Sequence, residues 1–514
     1  MRPCCSGGRG RSTNRGYPGA TLAADVTPEY LGVGYIIGPR TAGMIFAGGV
    51  LSWLVTIPMI KFFGAGLEHP IFPGTVLIRD MDSFAIWRAY IRPIGAGAVA
   101  TAGLFTLGRT LPTIVRALRS TFQQLRKGQG AAQPVAAIRT ERELPGTLIF
   151  GGSLAMILIV WAVLAFRVNP GVSGNLIASI LVVVFGFLFV TVSARIVGLI
   201  GASANPISGM TIATLMLTAL FFVAAGWTSG AYPAVAISIG GIVCIAAAVG
   251  GATSQSLKTG FLVGATPRAA ETAMIVGALT SVLVIGFTLV LLNRAYTRVE
   301  PLSLQNVAMT AEMRVVGETS QNGKNYQVIN VIGSHAIPDG RYYYDPATQR
   351  IDFQERVGIG SERLPAPQAV LMSTVINGIL RRSLPWGLVL LGVFIVVVLE
   401  LCGVRSLAFA VGSYLPIATT APIFTGGVVS GLLQKITKRQ EGEVSSGALF
   451  AAGLIAGGSI GGLILAALVG FEVDQKVAVG TKHWPGLANS SVFGLLIFLL
   501  MAAALFVVGR KKLE

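Results

Sequence analysis

The chain has 514 residues, of which 53% are hydrophobic and 12% charged, with a mean hydropathy of +0.71. Soluble domains carry about a quarter charged residues, so this composition excludes an ordinary soluble enzyme and belongs in a lipid bilayer. The net charge of +17 reads as lysine and arginine in inner loops rather than as a nucleic-acid surface.

Residues 1–30 hold Arg2, Arg9, Arg11 and Arg15 among glycines and lack the apolar core of a secretory signal, so they read as a disordered tail. Apolar runs of roughly 20 residues mark membrane spans. They fall near 42–63 and 89–108, within a first membrane segment, 31–108. A basic linker, 109–145, follows. A membrane core over 146–294 has runs near 146–166, 173–199, 206–226, 232–249 and 271–293. Between the last two, 250–270 reads as a re-entrant segment or a loop, too polar for a span. The polar insert 295–365 reads as β-rich: Gly340–Phe353 suggests two short strands around an Asp-Pro turn, and Asn325–Gly333 a third. The C-terminal core, 366–514, has runs near 366–381, 385–401, 414–433, 445–470 and 489–509. The fold class is all-α and polytopic, with about 12 transmembrane helices and a small extramembrane β insert.

Charge sets the orientation. Placing 109–145 in the cytoplasm and alternating from there puts Lys258, Arg268, Arg381, Arg382, Lys435, Lys438, Arg439 and Arg510–Lys512 inside. The charge-balanced stretches 64–88, 295–365 and 471–488 then lie outside. Trp87, Trp227, Trp386 and Trp484 sit at span ends, as interfacial anchors do.

The stretch 401–433 is long enough to span, yet glycine, Pro416, Tyr414 and the pair Thr419-Thr420 interrupt it. It also has a near-copy. Val33–Leu54 aligns without a gap onto Val411–Leu432, an offset of 411 − 33 = 378, with VG and the later IFxGGVxS in register. The orientation above sends the first copy outward and the second inward. That is an inverted-topology repeat, and interrupted helices in corresponding halves point to a carrier's binding site.

Candidate residues follow from that reading. In Gly201–Thr211, Asn205, Ser208 and Thr211 open a span either as a capped helix or as a half-helix whose amides face an anionic group. In 250–268, Thr253, Ser254, Gln255, Lys258 and Thr259 offer hydrogen bonds to a peptide-like cargo, and Lys258 and Arg268 offer charge for carboxylates; a plain cytoplasmic loop is the alternative. Glu400 is the candidate proton-coupling carboxylate, or else an acid at the outer interface beside Arg405, while Arg40 is a base within the first broken copy. No P-loop is present, and His69, His335 and His483 lie apart, as do Cys4, Cys5, Cys244 and Cys402. No metal site, cofactor or enzymatic constellation is expected.

GYIIGPRTAGMIFAGGVLSWL, IGAGAVATAGLF with RTLPTIV, SANPISGMTIATLMLTALFF, TSQSLKTGFLVGATPR, LPAPQAVLM and ELCGVRSLAFAVGSYLPIATTAPIFTGG together resemble the oligopeptide transporter family in its prokaryotic branch, a relative of the yellow stripe-like carriers. The resemblance implies a proton-coupled secondary transporter of small peptides or metal chelates, multi-pass in the cell membrane. It also suggests a homodimer. Its broken-helix regions map onto Asn205, Pro206, Ser208 and Gly209, onto Thr253–Gln255 with Lys258 and Thr259, and onto Tyr414, Pro416, Thr419 and Thr420. Ala252 and Ser256 stand where the family's GDTSQDLKTG carries acids. Members resembling this chain begin with further spans before GYIIGPR, so 31–108 reads as the remnant of a truncated first repeat. A non-transporting remnant or membrane interaction protein is the alternative function.

Overall fold

A computed structural model describes residues 19–74, 76–126, 139–168, 174–200, 207–228, 232–305, 307, 309, 313–321, 323–331, 337, 340–360, 364, 366–381, 385–404, 406–437, 445–470, 473, 484, 486 and 490–511. The chain divides into two units. One is drawn from Met1–Ala102, Leu291–Tyr296 and Leu384–Glu514, the other from Gly103–Val290 and Thr297–Ser383.

Two prolines shape the first unit. In α1 (Pro28–Val50), Gly38 takes φ +79° and ψ 168°, and Pro39 follows it without an amide donor. Positive φ is open to glycine at little cost, and proline cannot donate to the preceding turn, so the helical winding is interrupted there. The same event recurs late in the chain. After α11 (Trp386–Leu401), α12 (Ser406–Tyr414) stops before Leu415 and Pro416, and α13 (Ile417–Thr437) starts again. With the offset of 378, Gly38 falls on Pro416, so the two interruptions occupy equivalent positions. The first copy continues through a π-helical turn, Leu51–Thr56, into α2 (Ile57–Gly64). A short α3 (Ser83–Ile86) is capped by the Asp82 carboxylate, which accepts from the Ala85 amide at 2.7 Å, and leads through a second π turn, Trp87–Ile91, into α4 (Arg92–Arg126).

The two broken segments interlock through glycine. A Cβ on Gly34 would lie 1.9 Å from the Ile423 carbonyl oxygen, and one on Gly412 would lie 1.8 Å from that of Ile45. Gly48 faces the Phe409 oxygen at 2.2 Å, and Gly426 faces the Leu31 oxygen at 2.1 Å. Each of these contacts turns into its companion when 378 is added to one residue and subtracted from the other. Phe46 and Phe424 are each other's counterparts, and their rings stack 4.6 Å apart. Along α1, Leu31 and Gly34 meet Gly426 and Ile423, while Ala42, Phe46 and Gly49 meet Gly427, Phe424 and Thr420. From Pro39 onward partner numbers fall as those of α1 rise, from Gly431 at Pro39 to Thr420 at Gly49, so this half of α1 crosses α13 antiparallel. Helices in lipid associate through such close backbone approach, because apolar side chains gain little by leaving hydrocarbon. Gly97 against Val389 and Gly392 against Ile94 repeat the device between α4 and α11. α14 (Ser446–Gly470) joins at Gly32, which faces the Ala451 oxygen, and α15 (Ser491–Gly509) adds Phe498 and Leu505 to the cluster around Leu31 and Tyr35.

The second unit holds α5 (Gly146–Val163), α6 (Gly174–Ile200), α7 (Ile207–Ala224), α8 (Tyr232–Leu262), most of α9 (Pro267–Tyr296) and α10 (Pro367–Arg381). Phe222, Trp227 and Tyr232 pack where α7 turns into α8, the last two stacked at 5.4 Å. The stretch 250–270, which reads from the sequence as a re-entrant segment or a loop, is mostly helical. α8 runs unbroken to Leu262, and a turn at Val263–Thr266 leads directly into α9. Hydroxyl residues do not end a helix when they can bond back along it, as the Thr259 hydroxyl does to the Gln255 carbonyl at 3.1 Å. None of α9 is buried, which suits a helix bathed in lipid.

The polar insert is an antiparallel five-stranded sheet in the order β1-β5-β4-β3-β2, from β1 (Arg298–Leu304), β2 (Met313–Gln321), β3 (Lys324–Val331), β4 (Gly340–Asp345) and β5 (Arg350–Arg356). The expected pair around Asp345-Pro346 is β4–β5, and Asp345 closes the turn by accepting from the Ala347 amide and the Thr348 hydroxyl. Ile329, Val331, Tyr342, Tyr344 and Ile351 form its core. Over their described residues the apolar runs read from the sequence are mainly helical, and seven helices among the described residues are long and apolar enough to cross a membrane. The chain is thus a polytopic membrane protein.

The interlock is directly testable. Gly412→Leu is expected to lower stability in detergent by about 3 kcal/mol or more, because backbone lies where the new side chain would sit. Gly43→Leu, where a Cβ meets nothing within 4 Å, should leave the thermal midpoint unchanged.

Candidate functional site

The break between α12 and α13 leaves backbone groups without helical partners. Pro416 cannot donate to Gly412, and the carbonyls that follow lose the regular i+4 amide. Three consecutive carbonyls find side-chain donors instead. The Ser52 hydroxyl donates to the Ser413 oxygen at 2.5 Å, the Trp87 indole to Tyr414 at 3.0 Å, and the Trp53 indole to Leu415 at 3.1 Å. The Pro416 oxygen accepts from the amides of Thr419 and Thr420, which tightens the first turn of α13. Trp87 is therefore more than the interfacial anchor its place at a span end suggests. Trp227 stacks on Tyr232, whereas Trp386 and Trp484 are exposed.

The candidate residues here have different environments. Tyr414 is 3% exposed, with its Cβ packed where Gly95 leaves room. Thr420 is fully buried; its hydroxyl donates to the Ile417 oxygen and its side chain fills the space above Gly49. Thr419 is half-buried and shares a hydrogen bond with the Tyr30 phenol. Residues 25–30 lie over this turn, with the Asp25 amide donating to the Ala418 oxygen at 2.8 Å. Burial holds the Asp25 carboxyl above its usual range. Glu29, in the first turn of α1, has a buried Oε2 without a hydrogen-bond partner and packs where Gly458 of α14 leaves space. Neither acid stood out in the sequence, because both precede the first apolar run.

Arg40 is exposed in the turn after Gly38. A Cβ on Gly38 would touch nothing within 4 Å, so the first break is open on that side. Glu400 lies at the other end of α12 from the second break. Its Oε1 accepts from both the amide and the hydroxyl of Ser406, at 3.2 and 2.6 Å, so it caps the start of α12. A small cavity beside the second break is lined by Ser52, Thr56, Phe409 and Ser413 with apolar neighbours. It has room for roughly one or two waters and none for a peptide.

In the second unit, Thr253, Ser254, Gln255, Lys258 and Thr259 lie along the last turns of α8. Lys258 donates to the Gly198 oxygen at 2.9 Å, and Ser254 sits over Gly198, so both are engaged with the end of α6. Arg268 is exposed, and its backbone amide donates to the Arg142 oxygen. Arg139 reaches the Thr266 hydroxyl and the Gly264 oxygen, and Glu271 accepts from the Leu144 amide. The linker's end is thereby tied to the α8–α9 turn, a contact no sequence motif announces. The Thr211 hydroxyl bonds back to the Ile207 oxygen. Asn205 and Pro206 lie outside the described residues, as does Arg405, and of Ser208 only the backbone is described. Among the described residues no group of three or more His, Cys, Asp or Glu could hold a metal.

A family model described as OPT oligopeptide transporter protein matches residues 13–333 and 348–469. A Haemophilus influenzae protein described as a candidate oligopeptide transporter is 26% identical over 509 aligned residues, covering 91% of this chain and 70% of that protein. No solved structure matches the chain.

Two outcomes follow from this geometry. Glu400→Gln keeps an acceptor for Ser406, so it should preserve folding and any gradient-driven activity. Glu400→Ala should cost about 1 kcal/mol through the lost cap. Loss of coupling in Glu400→Gln alone would restore that residue as the proton carrier. For Asp25, a raised carboxyl pKa means the folded chain holds this proton more tightly than the unfolded chain. Its stabilising effect is present at low pH and is lost as pH rises through the carboxylate range. Asp25→Asn should therefore raise the thermal midpoint at about pH 7 and bring no gain at about pH 3.

Proposed function

The chain belongs to the oligopeptide transporter family, and from that premise we propose that it is a proton-coupled secondary carrier of small peptides. It is a multi-pass protein of the plasma membrane. The observation that carries the proposal is the pair of equivalent breaks, Gly38-Pro39 and Leu415-Pro416, in segments that cross antiparallel. Two copies of opposite direction, each unwound at the same place, are what an inverted-topology repeat supplies. Such a repeat lets one arrangement open to either side by exchanging the conformations of its halves.

A peptide presents a carboxylate, an ammonium group and amides. The Ile417 and Ala418 amides at the start of α13, and the first-turn amides of the half-helix that restarts at Pro39, have no acceptor within their own helices and favour the carboxylate. Arg40, beside the open first break, adds a fixed positive charge. Thr419, at the edge of the second break, is better placed for a solute than the buried Thr420. Lys258, Gln255 and Arg268 remain proposed as exposed contacts on the second unit. The same cations suit a metal chelate that carries carboxylates, which keeps that substrate class as a second reading.

Uptake of labelled di- to tetrapeptides into proteoliposomes tests the proposal. Uptake should depend on an acid-outside gradient and stop when a protonophore removes it. Arg40→Gln should raise KM for peptides with a free C-terminus by about tenfold and spare C-terminally amidated ones. Uptake of chelated iron without peptide uptake would select the second reading. Gradient-independent leakage of both would contradict carriage.

A further inference from the structure

We propose that the second break is held by a latch, in which Trp53 and Trp87 are positioning residues that reserve the Tyr414 and Leu415 carbonyls for the protein. The inference rests on the carrier reading for its role in transport, but not for its existence.

An unwound helix in a membrane protein needs new partners for its carbonyls, since hydrocarbon provides none. A cargo could supply them, and that is the usual reason to look for solute at such a place. Here Ser413, Tyr414 and Leu415 are already served, one after another, by Ser52, Trp87 and Trp53. Two of these donors come from the π turn Leu51–Thr56, and the third is the first residue of the π turn Trp87–Ile91. A π turn widens the helix and changes the direction in which side chains leave it, and such turns gather at functional places.

The indoles are held in turn. Trp53 is 1% exposed, meets the edge of Phe84 at 5.0 Å and lies 6.2 Å from Trp87. The Arg92 guanidinium sits 5.4 Å from the centre of the Trp87 ring. Two aromatic rings thus present their N–H groups to adjacent carbonyls at fixed spacing.

The repeat shows that this arrangement belongs to one break. The counterpart of Ser52 is Ser430, whose hydroxyl accepts from the Gln434 side chain; the counterpart of Trp53 is Gly431, which has no side-chain donor. Gly431 instead lets Pro39 pack closely, its would-be Cβ lying 3.1 Å from that of Pro39. Solute contact through carbonyls is therefore closed at the second break while the latch stands. What remains there for cargo is the Ile417 and Ala418 amides and the half-buried Thr419 hydroxyl, which already meets the Tyr30 phenol. Any change of access that rewinds or shifts 413–416 must first release the indoles.

Phenylalanine keeps the ring and removes the donor. In Trp53→Phe/Trp87→Phe, hydrogen exchange in a peptide spanning 409–424 should rise about tenfold or more, with α14 unchanged. In uptake, the maximal rate should change while KM stays within about twofold, because the carbonyls do not bind cargo. Unchanged exchange, or a KM that falls as the carbonyls are freed, overturns the latch. Should the double variant not fold, the native protein suffices. Indole-¹⁵N spectra should show the Trp53 and Trp87 protons exchanging slowly beside the exposed Trp386, assigned by the single variants. Exchange as fast as that of Trp386 overturns it equally. Protected indoles in a chain that moves no peptide would refute the carrier and leave the latch intact.

Discussion

Close approach of backbone to backbone at Gly34, Gly48, Gly412 and Gly426 is the constraint on which the first unit depends. Each of these positions has a carbonyl oxygen where a side chain would begin. Because bilayer hydrocarbon is as apolar as leucine, burial alone does little to hold these helices together, and the short distances that glycine permits do more. The contacts occur in companion pairs related by the offset of 378, so one local solution is used twice. An antiparallel crossing with the Phe46–Phe424 stack at its centre is the outcome.

Within that frame the breaks are tolerated because their polar groups are accounted for. At the second break the donors come from residues 52–87, far away in sequence, so the two copies fold as one object. Glu400 serves a similar purpose at the start of α12, where a carboxylate relieves the unsatisfied amides of a first turn. An acid near membrane depth invites a functional reading, yet its hydrogen bonds are those of a cap. The acids with less satisfied surroundings are Asp25 and Glu29, close to the first turn of α1 and outside any motif.

Much of this was legible in the sequence, and for physical reasons. Gly38-Pro39 and Pro416 interrupt helices by covalent structure alone, and the ungapped repeat announced that they correspond. Apolar runs of span length became helices because only intrasegment hydrogen bonding satisfies backbone in lipid. The Asp345-Pro346 turn named its hairpin. Strands β1 and β2 were missed because Pro301 and a charged, weakly alternating pattern suit edge strands, which lack the signature of central ones. The stretch 250–270 reads as a re-entrant segment or a loop, and its helical course to Leu262 was not legible because composition hides hydroxyls that bond back along their own helix. The π turns and the donors they aim have no sequence signature, so the partners of the second break, Ser52, Trp53 and Trp87, emerged only from geometry.

The antiparallel passage of the two broken segments is best examined by sidedness. In a chain freed of its four cysteines, single cysteines at the exposed positions 63 and 436, which follow the first and the second broken segment, would be labelled with a membrane-impermeant thiol reagent in intact cells and in inverted vesicles. Position 63 should react from one face of the membrane and position 436 from the other. If 63 and 436 react from the same face, the two copies run in the same direction, and the account of a mirrored carrier is wrong.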